Sequence, residues 1–223
     1  MAVNKLERFA EIAEFNHVLE YTDYQDPKYQ KPKGHWRDDI FGNAKPIILE
    51  LACGTAAYSL ALAQRYKDRN FVGLDIKGAR LWKGAKKAKE EQIENVRFLR
   101  IYIDHLDEYF ASQEVNQIWI TFPDPYPRAS DRDKRLTSDK FLKIYQKVLA
   151  ADGDIYLKTD DQDLFDYTLK SVEKFGGSVL ESSRDIYKEY ANDQFLTIKT
   201  KYEKKHLANG KEITFCRFRL PAE

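Results

Sequence analysis

The chain has 223 residues, 43% of them apolar and with 13 Phe, 14 Tyr and 3 Trp, which is enough to bury one sizeable core in an α/β domain of ordinary size. Its formal charge of +1 does not by itself announce a nucleic-acid binder, so charge placement has to carry that argument. Cys53 and Cys216 lie far apart with no CxxC, and His17, His35, His105 and His206 form no HExxH, which argues against a disulfide framework or a metal site. No apolar run approaches the roughly 18–20 residues of a membrane span, and the first eleven residues are charged and amphipathic, unlike a secretory segment. The expectation is a reduced, cytoplasmic protein with no metal and no membrane attachment, a monomer or homodimer.

In chain order, Leu6, Phe9, Ile12 and Phe15 recur at helical spacing and predict an amphipathic helix over residues 5–15. Residues 21–46, rich in Tyr, Lys, Asp and Pro, read as an irregular arm, so residues 1–45 precede a single domain at 46–223. The regular pattern starts with the apolar run Ile47–Leu51, a Gly-containing turn and a helix over Tyr58–Tyr66. Asn70–Asp75 is the next strand, and residues 78–91 form a helix with Leu81, Ala85 and Ala88 on one face. Val96–Ile101 and Ile118–Phe122 are the third and fourth strands. Thr137 or Ser138 can cap a helix running to Leu149, with Phe141, Leu142, Tyr145, Val148 and Leu149 inward. Asp152-Gly153 predicts a turn into the strand Asp154–Lys158. A helix from Asp161 to Phe175 follows, with Leu164, Phe165, Leu169 and Val172 inward, and strand-like runs lie at 178–187 and 213–219. Strands alternating with helices predict an α/β fold: a mostly parallel sheet with helices on both faces, and ligands at the C-terminal rim of the strands.

At the first of these rims stands Glu50-Leu-Ala-Cys-Gly-Thr-Ala-Ala57. Small residues at 52, 54, 56 and 57 let a ligand approach the backbone, and the following helix offers free N–H groups. Asp75, about twenty residues beyond Gly54, stands where a carboxylate accepts hydrogen bonds from two ribose hydroxyls. A bare strand–turn–helix is the simpler reading of the turn alone; with Asp75 the pair points to a nucleotide-type cofactor. A dinucleotide site wants G-x-G-x-x-G, whereas residues 52–57 read Ala-x-Gly-x-x-Ala. Glu50 would sit badly beside a pyrophosphate and suits the cationic end of S-adenosylmethionine, which favours the methyl donor.

The fourth strand delivers Pro123-Asp-Pro-Tyr-Pro127. Three prolines in five residues stiffen the backbone around Asp124. A stiff turn with Asp124 as a local cap is the competing reading; Tyr126, able to stack on a base, and basic Arg128 stand against it. Glu50-Leu-Ala-Cys-Gly, Gly73-Leu-Asp-Ile-Lys77, Asn95-Val-Arg-Phe-Leu99, Phe122-Pro-Asp-Pro-Tyr-Pro-Arg128, Lys134-Arg-Leu-Thr-Ser138, Leu157-Lys-Thr-Asp160 and Thr200-Lys-Tyr-Glu203 occur in that order. On these segments, from about residue 45 to 219, the chain resembles the bacterial tRNA (guanine-N7-)-methyltransferase family of class I S-adenosylmethionine-dependent enzymes.

That resemblance implies a Rossmann-like, mostly parallel seven-stranded sheet and transfer of a methyl group from S-adenosylmethionine to N7 of a variable-loop guanosine in tRNA. It implies that Glu50, Gly54, Asp75 and Asp124 contact the cofactor, with either Tyr102 or Asp104 on its adenine side, and that Asp124 is the central catalytic acid. Arg128, Asp160, Thr200, Lys201, Tyr202 and Glu203 become substrate-side residues, and Ser130, Asp131, Arg132, Asp133, Lys134 and Arg135 the RNA-contacting loop. The chain departs from the family at Ala52 and Ala56, where Gly is usual, at Tyr126 for Trp, at Arg128 for Lys, and in a less basic RNA loop.

Guanine N7 is an unprotonated lone pair, so Asp124 is expected to orient the base and offset its developing charge, not to remove a proton. Asp161 and Asp163 are expected to serve the helix start, leaving Asp160 as the substrate contact. Basic residues gather in three places: Lys77, Arg80, Lys83, Lys86, Lys87 and Lys89; Arg128, Arg132, Lys134 and Arg135; and Lys199, Lys201, Lys204, Lys205 and His206. A solvated helix face explains the first equally well; together the three suit a phosphate-tracking surface. Two other readings share these residues: methylation of another substrate, and a non-catalytic tRNA-binding protein on a vestigial fold.

Overall fold

The computed structural model describes residues 4–21 and 31–222, so residues 22–30 of the expected irregular arm lie outside the described residues. The chain divides into two units, residues 1–111 and 112–223. In the first, β2 (Ile47–Leu51) and β3 (Asn70–Leu74) are buried at every position, as unbroken apolar runs covered on both faces require. β4 (Val96–Arg100) lies parallel to β3, and β2 parallel to β3 on its other side. An additional strand, β1 (Val18–Glu20), pairs in parallel with β4 and makes the order β1-β4-β3-β2. At three residues it is too short to carry a periodic signal, and it raises the strands from the seven expected to eight among the described residues.

Two helices, α2 (Ala57–Arg65) and α3 (Gly78–Glu90), cross between these strands, and Leu81, Ala85 and Ala88 are buried as their spacing predicted. The first helix, α1 (Lys5–Ala13), opens on a capping box of Asn4 and Glu7 and packs on α3, where Trp82 Nε1 donates to Glu11 at 2.6 Å. Leu6 departs from expectation: it is 81% exposed, because Ile12 and Phe15 carry the buried contact. Residues Trp36–Phe41 form a π-helical turn instead of irregular chain. Trp36 drives it, stacking on Phe110 at 4.7 Å and donating to the Tyr109 carbonyl at 2.8 Å; Tyr109 ends the short helix α4 (Leu106–Tyr109).

In the second unit β5 (Val115–Thr121) and β6 (Leu149–Thr159) are parallel, while β7 (Ser178–Ser183) and β8 (Thr214–Arg219) complete the order β5-β6-β8-β7 with antiparallel pairs. The expected turn at Asp152-Gly153 is a bulge within β6: the partner shifts from Leu149 at Val115 to Asp154 at Gln117. A Cβ on Gly153 would stand 2.9 Å from the Ala150 carbonyl, so the bulge needs glycine. Before β6, α5 (Asp139–Val148) starts after Ser138, but the Ser138 hydroxyl donates to the Asp133 carbonyl at 3.1 Å and makes no cap bond.

Asp161 does cap α6 (Gln162–Phe175), accepting from the Leu164 N–H at 2.7 Å. Thr168 takes the buried place expected for Leu169, bonded to Thr137 Oγ1 at 2.8 Å. The run at 178–187 ends early, because Asp185 caps the short helix α7 (Ile186–Glu189). A further helix, α8 (Lys201–Ala208), follows.

Gly84 lets α3 press on the turn that follows β2: a Cβ there would come within 2.6 Å of the Thr55 carbonyl and 3.1 Å of the Phe98 ring. Gly84→Ala is expected to destabilise by about 1–3 kcal/mol through overpacking, lowering the thermal midpoint by several degrees. An unchanged midpoint in a melting experiment would contradict that close approach.

Candidate active site

Because the strands of the first unit are parallel, Glu50, Asp75 and the Tyr102–Asp104 turn stand at the C-terminal ends of β2, β3 and β4 on one rim. The turn after β2 passes through the left-handed region at Ala52 (φ 52), Gly54 (φ 60) and Ala56 (φ 50). Alanine occupies two of these positions at a cost on the order of 1–2 kcal/mol each, a cost that glycine would avoid. Asp75 ties the turn down: its Oδ2 accepts from the Gly54 N–H at 2.9 Å and its Oδ1 from the Lys77 N–H at 2.8 Å. The space where Gly54 would carry a side chain holds no atom within 4 Å.

Glu50 is 4% exposed, and its Oε2 accepts from the Ser59 N–H (2.9 Å) and hydroxyl (2.5 Å). Its negative charge therefore lies at the N-terminal turn of α2, where the helix dipole favours it. Burial, and then the carboxylates of Glu50 and Asp75, push the Cys53 thiol well up, leaving an inert sulfhydryl. Tyr102 is 56% exposed and Asp104 is exposed too.

In the second unit the parallel pairing of β5 and β6 puts Asp124 and Asp160 at one rim. Asp124 is exposed and makes no hydrogen bond or ion pair among the described residues, so the local-cap reading fails. Its loop is held on both sides, each hold lying at a residue of positive φ. Phe122 (φ 51) donates its N–H to the Lys158 carbonyl at 2.8 Å and stacks on His206, ring centroids 5.8 Å apart. Tyr126 (φ 45) accepts on its carbonyl from Arg135 Nε and Nη2 at 3.2 and 3.0 Å. His206 also meets Asp160, Nδ1 to Oδ2 at 3.0 Å, and Lys211 pairs with the same oxygen.

Below that rim lies an ion pair that sequence reasoning missed. Lys158 and Glu203 are wholly buried with Nζ and Oε1 2.7 Å apart. Tyr187 donates its hydroxyl to the same Oε1 at 2.7 Å, and Lys158 Nζ also donates to the carbonyls of Leu196 (2.5 Å) and Ile198 (3.2 Å). Burial pulls the Lys158 ammonium below its ordinary value against the opposing pull of Glu203. Burial and then Glu203 push the Tyr187 phenol up. Glu203 also completes a capping box with Thr200 at the start of α8. Wholly buried instead of open on the substrate side, it braces from within the turn that presents Lys201 and the 57%-exposed Tyr202.

Of the basic clusters, Lys77, Arg80 and Lys83 face solvent, while Lys86 pairs with Glu11 and Lys87 with Glu91. The 3-10 turn Ala129–Lys134 exposes Ser130, Arg132, Asp133 and Lys134, half-buries Asp131, which pairs with Lys134, and follows exposed Arg128. Arg135 is buried. Among the described residues no group of three or more His, Cys, Asp and Glu could hold a metal ion, and no helix is long and apolar enough to cross a membrane.

Residues 44–216 match a family model described as "Putative methyltransferase". The tRNA (guanine-N(7)-)-methyltransferase of Christiangramia forsetii is 43% identical over 220 residues, covering 97% of this chain and 98% of that relative. Its namesake in Bacteroides thetaiotaomicron is 42% identical over 224 residues, covering 100% and 88%. The solved 16S rRNA methyltransferase KamB aligns with a TM-score of 0.63 over 82% of this chain and 92% of that one; at 13% identity the likeness is one of fold. Fold and family model together define a methyltransferase of the class I, Rossmann-like architecture. Within that class the chain belongs to the tRNA (guanine-N(7)-)-methyltransferase family.

Removing one member of a buried ion pair strands the other at about 3–5 kcal/mol, whereas replacing both with apolar groups costs far less. Urea unfolding should therefore show Lys158→Met and Glu203→Leu each strongly destabilised, and Lys158→Met/Glu203→Leu less so than the sum. Additive losses would contradict the pairing.

Proposed function

We propose that this enzyme transfers the methyl group of S-adenosylmethionine to N7 of a guanosine in the variable loop of tRNA, giving 7-methylguanosine, and that residues 46–223 act as its catalytic domain. Asp124 carries the reading: an exposed carboxylate, unpartnered among the described residues, on a loop held at both ends. The residues of the first unit suit the donor. Open space beside Gly54 leaves room against the backbone, and a carboxylate has about four lone-pair sites, so Asp75 can still accept from two ribose hydroxyls. Glu50 contributes negative charge on the side where a cationic ligand is favoured, and Tyr102 or Asp104 meets the adenine. The cofactor supplies an electrophilic methyl group.

Guanine N7 needs no base, because it carries a lone pair and no proton at neutral pH. What the protein supplies is placement, the largest lever for such a transfer, and compensation for the positive charge arriving on the purine. Asp124 does both by accepting from N1–H and the N2 amino group. Tyr202 offers an exposed ring for stacking; Arg128, Asp160, Thr200 and Lys201 line the substrate side, and Glu203 acts from beneath by holding their turn. Ser130, Asp131, Arg132, Asp133 and Lys134 meet the RNA backbone.

Asp124→Asn should lower turnover on tRNA by about tenfold or more, one tenfold step being about 1.4 kcal/mol of barrier, with donor affinity changed far less. Near-wild-type methylation by this variant would overturn the assignment.

A further inference from the structure

We infer that Arg135 is a positioning residue for Asp124 and not a phosphate contact, an assignment that rests on the tRNA-methylating reading above. Its chain neighbours Arg132, Asp133 and Lys134 are exposed, yet Arg135 is 6% exposed. Its guanidinium spends two N–H groups on the Tyr126 carbonyl at 3.2 and 3.0 Å and lies 4.3 Å from the centroid of the Tyr167 ring. Its backbone is engaged as well, N–H to the Arg132 carbonyl and carbonyl to the Ser138 N–H. A cation so placed cannot reach a phosphate without abandoning these partners.

Tyr126 stands at φ 45, a conformation that L side chains resist and that persists only where the surroundings hold it. Proline on each side fixes φ at 125 and 127, leaving the Tyr126 carbonyl as the handle on the far end of the Asp124 loop. The near end is held at the Phe122 N–H. Residues 127–134 thus form a loop closed by the Arg135 side chain: exposed Arg128, Arg132 and Lys134 face the RNA, and the closure fixes where Asp124 stands. Lysine cannot replace this fork, since a single ammonium neither gives two parallel N–H bonds nor lies flat on a ring.

The test compares Arg135→Lys and Tyr167→Leu with Arg132→Ala, measuring steady-state methylation of tRNA, the salt dependence of tRNA binding and thermal melting. Arg135→Lys is expected to lower kcat about tenfold with KM for tRNA within about threefold and the salt slope of the wild type. Tyr167→Leu should shift kcat in the same direction, and Arg132→Ala should instead raise KM and flatten the slope by about one unit. An Arg135→Lys enzyme with normal kcat, raised KM and a flatter slope would overturn the proposal. Where that variant shows no melting transition, Tyr167→Leu decides, and an unchanged kcat overturns it. A wild type that methylates tRNA at another atom retires the reading of function and leaves the kcat and KM comparison to judge Arg135.

Discussion

Lys158 ends the apolar stretch of β6 with an ammonium group that no solvent reaches. A charge in that position has to be paired and hydrogen-bonded or the strand does not fold there. Glu203 and the carbonyls of Leu196 and Ile198 meet the demand, which draws the segment from 196 to 203 onto the strand. Once Glu203 is fixed, its capping box with Thr200 sets the start of α8, and α8 carries His206 to Phe122 and Asp160. The same strand residue offers its carbonyl to the Phe122 N–H. One buried cation therefore organises the Asp124 loop, Asp160 and the Thr200–Glu203 turn.

The two units fix their rim loops differently. In the first, main-chain geometry does the holding: a turn with three left-handed residues is tied to Asp75 by a backbone N–H, leaving space beside Gly54. In the second, side chains hold the backbone. Phe122 and Tyr126 take up positive φ, and an aromatic stack with His206 and the Arg135 fork keep them there. Among the described residues Asp124 itself makes no hydrogen bond or ion pair, as the proposed contact with the substrate requires.

Continuous apolar runs made β2, β3 and β5 legible, and 3.6-residue periodicity gave α3 and its buried face; both are local signals. Asp124 was legible because prolines and an acid in one short segment have few ordinary uses. The burial of Arg135 was not, since the partners that cover it, Tyr126 and Tyr167, are fixed only by tertiary packing. The Lys158–Glu203 pair spans 45 positions (203 − 158) in the chain; a lysine among Ile155, Tyr156 and Leu157 signalled a buried partner without naming it. The helix α8 carries a local signal, the Thr200-x-x-Glu203 capping box, in the same four residues that the family resemblance assigns to the substrate side. Leu6 shows the converse failure: a correct period does not say which apolar residue finds a neighbour.

Methyl transfer to N7 of a tRNA guanosine at the proposed Asp124 site can be measured with tritiated S-adenosylmethionine and undermodified bulk tRNA, followed by nucleoside analysis. Label is expected in 7-methylguanosine, abolished when the variable-loop guanosine of a single tRNA transcript is replaced by adenosine. Label in any other nucleoside, or tight tRNA binding with no transfer, would contradict it.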